Sequence, residues 1–123
     1  MVRGSVAWVA LDPTRGAEVP KTRPCVIVSR DIANEISPTV TIVPLYSVRG
    51  RPQERLVQPI VRARESRLSK DSRALCDQVR TIDKGRIQRI AGVLGADATR
   101  RIDRGLVLHL KLEEYATTEP EPE

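Results

Sequence analysis

The strongest constraint on the fold is a set of three short runs rich in valine and isoleucine near the start of the chain. They are SVAWVAL (5–11), PCVIVS (24–29) and TVTIVPLYS (39–47), and the segments between them contain proline or glycine. β-branched runs of this length, bounded by turn residues, are typical of strands. The first part of the chain is therefore predicted to form a small antiparallel sheet.

Two further runs predict strands in the middle of the chain. RLVQPIV (55–61) predicts a fourth strand, which Pro59 restricts to an edge or a bulge because proline cannot donate a ladder hydrogen bond. SRALCDQVRTI (72–82) predicts a fifth strand. Asp77 and Gln78 interrupt its apolar pattern, and this polar patch needs a functional or structural reason.

The last third of the chain is predicted to be helical. DKGRIQRIAG (83–92) suggests a short helix or turn, and residues 96–112 predict a longer helix, since Ile102, Leu106 and Leu110 recur every four residues. Five strands and a helix predict an α+β fold that is mainly β. In such a fold a strongly bent antiparallel sheet or small barrel packs against the C-terminal helix.

Length and hydropathy predict one domain, at residues 1–112. The chain has 123 residues, of which 40% are hydrophobic, enough for one core. Its apolar stretches are too short to span a bilayer, and no leader with a charged start and an apolar centre precedes Trp8, so we expect no membrane association and a cytoplasmic location. Residues 113–123 are acidic and contain proline, which predicts a disordered tail.

The predicted domain is strongly basic. Five of the 16 acidic residues lie beyond residue 112, so the preceding part carries 21 basic against 11 acidic residues. The segment 49–73 holds eight of these bases with only Glu54, Glu65 and Asp71 to balance them. A stripe of this kind attracts phosphate backbones, although a solvated edge strand that resists aggregation has the same composition.

The sequence lacks the usual cofactor motifs. Cys25 and Cys76 lie in apolar runs and are predicted to be reduced core residues, and the single histidine, His109, is predicted to pack on the helix. No metal-ligand spacing, phosphate-binding glycine loop or nucleophile elbow is present, so no cofactor and no metal are expected. Metal-free cleavage of RNA remains, in which the 2′-hydroxyl of the substrate attacks.

The loop before the second strand offers groups for such a reaction. Pro24 restricts Arg23 to an extended backbone, which fixes its guanidinium where a phosphate could bind. Glu18 lies in the same loop, and Asp77 is a further candidate acid or base. An ordinary salt bridge among these charges is the competing interpretation.

Four motifs in order resemble the MazF/PemK toxin family. RGSVAWVALDPTRGAEVPKTRPCVIVSRD (3–31) is similar to its RGDIW-like start, DPT-x-G-x-E turn and RP-x-V-V-V-S strand. TVTIVPLYS (39–47) is similar to its third strand, KDSRALCDQVRTIDKGRI (70–87) to its D-Q-x-R-T-I-D segment, and IDRGLVLHLKL (102–112) to its last helix. The resemblance spans nearly all of residues 2–112.

This resemblance implies a fold and an activity. The fold would be the PemK/CcdB-like, SH3-like small barrel, assembled as a homodimer and inhibited by a MazE-like antitoxin. The activity would be sequence-specific, metal-independent cleavage of single-stranded RNA that leaves a 2′,3′-cyclic phosphate and a 5′-hydroxyl. By position, Arg23 would stabilise the phosphorane, and Glu18 and Asp77 would act as acid or base. The residues expected to contact RNA are Lys21, Thr22, Arg49, Arg51, Gln78 and Arg80.

One departure from the family pattern concerns catalysis. The third strand of the family normally ends in Thr-Ser or Thr-Thr, and its catalytic threonine aligns with Tyr46, which Ser47 follows. Either hydroxyl could replace that of threonine. The start also reads RGS where the family has RGD. Trp8 is expected in the core.

Three alternatives remain open. The Tyr46 departure allows a catalytically silent member that binds RNA or antitoxin. A CcdB-like gyrase poison is disfavoured, since such toxins depend on a Trp-Gly-Ile ending and this chain ends in ATTEPEPE. The acidic tail could compete with RNA for the basic surface or serve only solubility.

Overall fold

The sheet is antiparallel throughout and is built on a long central strand. The computed structural model describes residues 1–11, 16–17 and 21–116. The strands are β1 (Ser5–Ala10), β2 (Thr22–Ile27), β3 (Thr39–Ser47), β4 (Ile60–Val61), β5 (Ser72–Ala74), β6 (Arg80–Asp83) and β7 (Ile87–Val93). They are ordered β4-β5-β3-β2-β1-β7, and β6 also pairs with β3. The first half of β3 thus pairs with β6 and its last three residues pair with β5.

Four helices accompany the sheet in the described residues. They are α1 (Asp31–Ile36), α2 (Ala63–Ser66), α3 (Ala96–His109) and α4 (Glu113–Ala116), and single 3₁₀ turns occupy Cys76–Gln78 and Lys84–Arg86. None of these helices has the length and apolar character needed to cross a bilayer. The first four residues of the predicted disordered tail form the helix α4, and the rest of that tail lies outside the described residues.

Two apolar clusters form the core, one on each face of the sheet. Val43 and Leu45 of β3 belong to the cluster that contains Ile102 of α3, whereas Val40 and Ile42 belong to the other. This alternation follows from the two-residue period of a strand. The prediction of a mainly β fold with a packed C-terminal helix is therefore confirmed.

The helix α3 lies unusually close to the 3₁₀ turn at Cys76. A Cβ added at Gly105 would lie 2.7 Å from Cys76 Sγ and 3.1 Å from the Leu56 carbonyl oxygen. Only glycine therefore allows this helix to approach so closely, and the glycine that weakens the helical pattern in the sequence has a packing reason.

A bidentate ion pair attaches the N-terminus to α3. Arg3 donates to both oxygens of Asp103, at 3.1 and 2.5 Å, and its Nε donates to the carbonyl oxygen of Val28 at 2.9 Å. These contacts join the start of the chain, the end of β2 and the helix.

Three predicted elements differ from the structure. The predicted strand at 55–61 is reduced to β4, because the chain turns where Gln58 N–H donates to the Arg55 carbonyl. The predicted strand at 72–82 is two short strands on either side of the 3₁₀ turn Cys76–Gln78. Residues 83–92 form a 3₁₀ turn followed by most of β7, so the expectation of a helix or turn fails for β7.

Three side-chain predictions have mixed outcomes. Both cysteines are free and buried, as predicted. His109 is exposed at the end of α3, so the prediction that it packs is wrong. Trp8, predicted in the core, is instead half-buried outside both core clusters, where its ring contacts the Arg89 guanidinium at 5.2 Å.

Candidate functional site

Arg23 and Tyr46 face each other across neighbouring strands. The register of β2 and β3 pairs Cys25 with Pro44, and two more residues of the same register bring Arg23 opposite Tyr46. The guanidinium carbon of Arg23 lies 4.8 Å from the centre of the Tyr46 ring. This cation–π contact holds the arginine at the end of the strand pair, where Tyr46 is 45% exposed.

The Nε of Arg23 is a buried donor with no hydrogen-bond partner among the described residues. A buried unpaired donor costs about 1–3 kcal/mol, and such groups deserve an explanation. A phosphate oxygen is the acceptor that a planar guanidinium fits best. The site is therefore suited to bind an anion that the described residues do not supply.

Ser47 lies beside the same arginine but on the other side of β3 from Tyr46. Ser47 and Arg23 both line a cavity of about 200 Å³. Successive side chains of a strand point to opposite faces, so the two candidate hydroxyls flank Arg23 from different directions. The structure places Tyr46 and Ser47 on either side of Arg23.

The 3₁₀ turn that contains Asp77 contacts the loop before β2. Asp77 is exposed and accepts a hydrogen bond of 2.9 Å from Gln58 Nε2. Gln78 Nε2 donates to the carbonyl oxygen of Ala17 at 3.4 Å. Glu18 itself lies outside the described residues. Within those residues Asp77 forms no ion pair or hydrogen bond with Arg23, so the polar patch is explained by its contacts with neighbouring loops.

A second arginine lies on the Arg23 face of the sheet. Arg80 pairs with Ile42 in the β3–β6 ladder, and its charge acts on the thiol of Cys25, the residue two positions after Arg23. Burial raises the pKa of Cys25 to about 12, and the positive charge of Arg80 offsets part of this rise. Cys25 is therefore a protonated core thiol and not a nucleophile.

Burial likewise raises the pKa of Cys76 to about 12, with the charges of Asp77 and Asp103 adding to the effect. No group of three or more His, Cys, Asp or Glu side chains within the described ranges is placed to hold a metal ion.

The remaining candidates for contact with RNA lie at the surface. Lys21 and Thr22 are exposed where β2 begins, and Arg49 and Arg51 are exposed after β3.

Comparison with known proteins decides the family. A family model described as PemK-like, MazF-like toxin of type II toxin-antitoxin system matches residues 2–110. The chain belongs to this family. The MazF-like chain is also 34% identical over 117 residues to Endoribonuclease MazF9 of Mycobacterium tuberculosis (strain ATCC 25618 / H37Rv), covering 91% of this chain and 98% of that protein.

Solved MazF structures share the fold. MazF from Deinococcus radiodurans superposes with a TM-score of 0.76 at 20% identity, covering 90% of this chain and 96% of that one. An endoribonuclease in complex with its cognate antitoxin from Mycobacterial species gives a TM-score of 0.71 at 20% identity, with 99% of each chain covered. The predicted MazF/PemK fold is thus confirmed.

Sequence reasoning missed part of the site of this MazF-like chain. Trp8, Lys70 and Ser72 line the same cavity as Arg23 and Ser47. Nothing in the local sequence marks them, since Trp8 lies in β1 and the other two lie at the start of β5 and just before it, two segments that meet only in the folded sheet. Trp8 was expected in the core because its side chain is large and apolar. Size and polarity alone do not show which end of a strand other residues cover.

Proposed function

We propose that this chain is the toxin of a type II toxin-antitoxin pair and cleaves single-stranded RNA at specific sequences without a metal. The 2′-hydroxyl next to the scissile phosphate attacks phosphorus and the 5′-oxygen leaves, so the products carry a 2′,3′-cyclic phosphate and a 5′-hydroxyl. Cutting mRNA in this way stops translation and growth. This substrate implies action in the cytoplasm.

The observation that carries the proposal is the Arg23 side chain. Its guanidinium is fixed on the Tyr46 ring and its buried Nε lacks a partner among the described residues. Fixed donors aimed at developing negative charge are the most effective stabilisers of a transition state. Arg23 is therefore assigned to the phosphorane oxygens.

Proton transfer is assigned to groups around Arg23. Tyr46 or Ser47 supplies a hydroxyl near the phosphate, from one or the other side of β3. Glu18 is the proposed base, and Gln78 contacts the residue just before it in the sequence, at Ala17. Asp77 is retained as a candidate acid or base, and it precedes Gln78 in the same 3₁₀ turn.

The basic surface would bind the RNA chain. Exposed arginines follow β3 in the loop that contains Arg49 and Arg51, Thr22 begins β2, and Lys21 precedes it. Gln78 and Arg80 complete the proposed RNA contacts on the Arg23 side. Phosphate contacts of this kind fix the register of a strand but do not read its sequence.

The partners follow from the family and the surface. We propose an antitoxin partner and a homodimer. Apolar side chains exposed near the C-terminal end of α3 and in α4, at Leu110, Leu112 and Tyr115, support a protein contact there. Light scattering on purified protein, with and without Leu110→Glu, tests whether two copies associate through this end.

The test of activity uses a long single-stranded RNA in excess chelator. Wild type, Arg23→Ala, Tyr46→Phe and Ser47→Ala are compared, and the cut ends are mapped by sequencing. Discrete cuts with cyclic-phosphate ends that disappear in Arg23→Ala support the proposal, and the two hydroxyl variants show which side chain acts. Arg100→Ala, an exposed arginine on α3, is the matched control.

Absence of cuts from well-folded wild type would contradict the proposal. That result would favour a silent member of the family that binds RNA or antitoxin.

A further inference from the structure

The cavity beside Arg23 has the dimensions of a site for one small ring. It measures about 200 Å³ and opens on the face of the sheet that carries Leu45. Sites for drug-sized ligands typically measure about 300–1,000 Å³. A single planar ring suits this smaller volume better than a peptide segment or a whole nucleotide.

Apolar side chains form the walls of the cavity. Trp8 and Pro24 are cross-strand partners in β1 and β2, and Leu45 and Leu68 complete this surface. Arg89 is the partner of Trp8 in β7, and its guanidinium lies 5.2 Å from the centre of the indole ring. The indole is thereby held in place at the wall. Flat apolar walls of this kind favour an aromatic base over a charged group.

Two polar groups at the cavity are available for hydrogen bonding. Ser72 is 2% exposed, and its hydroxyl forms no hydrogen bond within the described part of the chain. Lys70 is exposed at the rim, and its ammonium forms no ion pair or hydrogen bond with any described residue. A buried hydroxyl and an ammonium favour a partner with acceptor oxygens.

Among the RNA bases these donors favour uracil. Uracil presents two carbonyl oxygens, whereas adenine presents none and cytosine presents an amino donor where uracil has its O4. Guanine has one carbonyl but is a larger, two-ring base. Ring size and donor chemistry thus select the same base.

We propose that this cavity is a uracil-binding subsite that holds the nucleotide next to the phosphate bound by Arg23. It rests on the function proposed above and adds a source of sequence preference to it. Trp8, Pro24 and Leu68 enclose the ring, and Lys70 and Ser72 read its oxygens. Lys70 is a specificity residue and takes no part in bond cleavage.

Trp8 provides a direct readout, because it is the only tryptophan in the chain. A short DNA oligonucleotide with one dU lacks the 2′-hydroxyl and cannot be cut by the proposed mechanism, so its binding is measured at equilibrium. We expect saturable quenching of Trp8 fluorescence by the dU oligonucleotide. Binding should weaken about tenfold when dU is replaced by dA or by an abasic site. Equal binding of all three would overturn the proposal.

Lys70→Met isolates the donor at the rim. This variant should bind the dU oligonucleotide about tenfold more weakly and the abasic oligonucleotide as well as wild type does. Lys84→Met is the matched control, because the Lys84 ammonium lies at the Glu35 carbonyl, 3.5 Å away, and does not line the cavity. Equal weakening in both lysine variants would show a charge effect and refute the subsite. Ser72→Ala tests the buried hydroxyl in the same assay.

Cleavage mapping separates this proposal from the function on which it rests. In Lys70→Met, cutting beside uracil should slow relative to cutting at other sites, so the preference for uracil at one position beside the cut falls. Unchanged cut sites in active Lys70→Met would refute the subsite and leave the ribonuclease standing. Selective quenching by dU in a wild type that cuts no RNA would leave the subsite standing and refute the ribonuclease.

Discussion

At the scale of single residues, Tyr46 combines two properties that substitution can separate. Its ring supports the Arg23 guanidinium at 4.8 Å, and its hydroxyl is a candidate proton donor or acceptor. Phenylalanine keeps the ring and removes only the hydroxyl, whereas leucine removes both. The ratio of the cleavage rates of these two variants therefore reports the contribution of the ring alone.

We predict that Tyr46→Leu cuts RNA about two- to fivefold more slowly than Tyr46→Phe. An exposed cation–π contact contributes about 0.5–1 kcal/mol, and its loss frees the arginine from its productive position. Single-turnover rates on one RNA measure the ratio. Equal rates in the two variants would mean that the stack does not position Arg23.

Gly105 is a position where one added carbon atom, the Cβ of alanine, should change the stability of the fold. Gly105→Ala should destabilise the fold by about 1–3 kcal/mol, because overpacking against Cys76 Sγ and the Leu56 carbonyl outweighs the better helix propensity of alanine. Urea unfolding measures the change. Adding Cys76→Ala removes the 2.7 Å contact, so the double variant should recover part of the loss. Strict additivity of the two substitutions would contradict the packing argument.

At the scale of elements, Arg101 joins two helices and a strand. Arg101 of α3 donates to Glu65 of α2 at 2.9 Å and to the Ile60 carbonyl of β4 at 3.1 Å. Burial alone would raise the pKa of Glu65. Hydrogen bonds from the Arg62 backbone and from Arg101, with the charge of Arg101, together bring the pKa below its ordinary value.

This lowered pKa predicts a pH dependence of stability. The unfolded chain protonates Glu65 at a higher pH than the folded chain does, so the contribution is present above the unfolded pKa and is lost as pH falls through the folded pKa. Glu65→Gln should cost about 1 kcal/mol near neutral pH, and the difference should disappear as the pH falls through the lowered pKa of Glu65 in the folded protein. Unfolding curves at several pH values test this. A difference that stays constant with pH would refute the assignment.

The strands show which elements could be predicted from the sequence and which could not. β1 and β3 were predicted within a residue, because a β-branched run with a buried face leaves few alternatives. β7 was missed, since its pairing with β1 contains two register shifts that break the simple alternation of the strand. The predicted strand at 72–82 is divided because its two halves pair with opposite ends of β3, a tertiary arrangement that no local pattern contains.

The candidate site shows the same limit. Arg23 was predicted because Pro24 restricts its backbone, and Tyr46 and Ser47 because the resemblance aligns them with the family's catalytic threonine. Trp8, Lys70 and Ser72 were not predicted as site residues, because only the pairing of distant segments brings them to one cavity.

At the scale of the whole molecule, the charges of the tail oppose those of the domain. The net charge is +5 although the chain has 21 basic residues, and Glu119, Glu121 and Glu123 follow the last described residue. Deleting residues 117–123 should tighten RNA binding at low salt, and the gain should shrink as salt rises. Titrations at two salt concentrations test this. Equal affinity of both forms at low salt would assign the tail to solubility alone.

The buried Nε of Arg23 has a consequence for the heat stability of the protein. This donor has no partner among the described residues, and an unpaired buried donor makes the native state less stable than its packing would allow. An oxyanion that pairs with it binds the native state and not the unfolded chain, so ligand and fold stabilise each other by mass action. The melting temperature should therefore rise with a phosphate-bearing, uncleavable oligonucleotide and change much less in Arg23→Ala. In this sense the toxin reaches its full stability only when it holds its substrate.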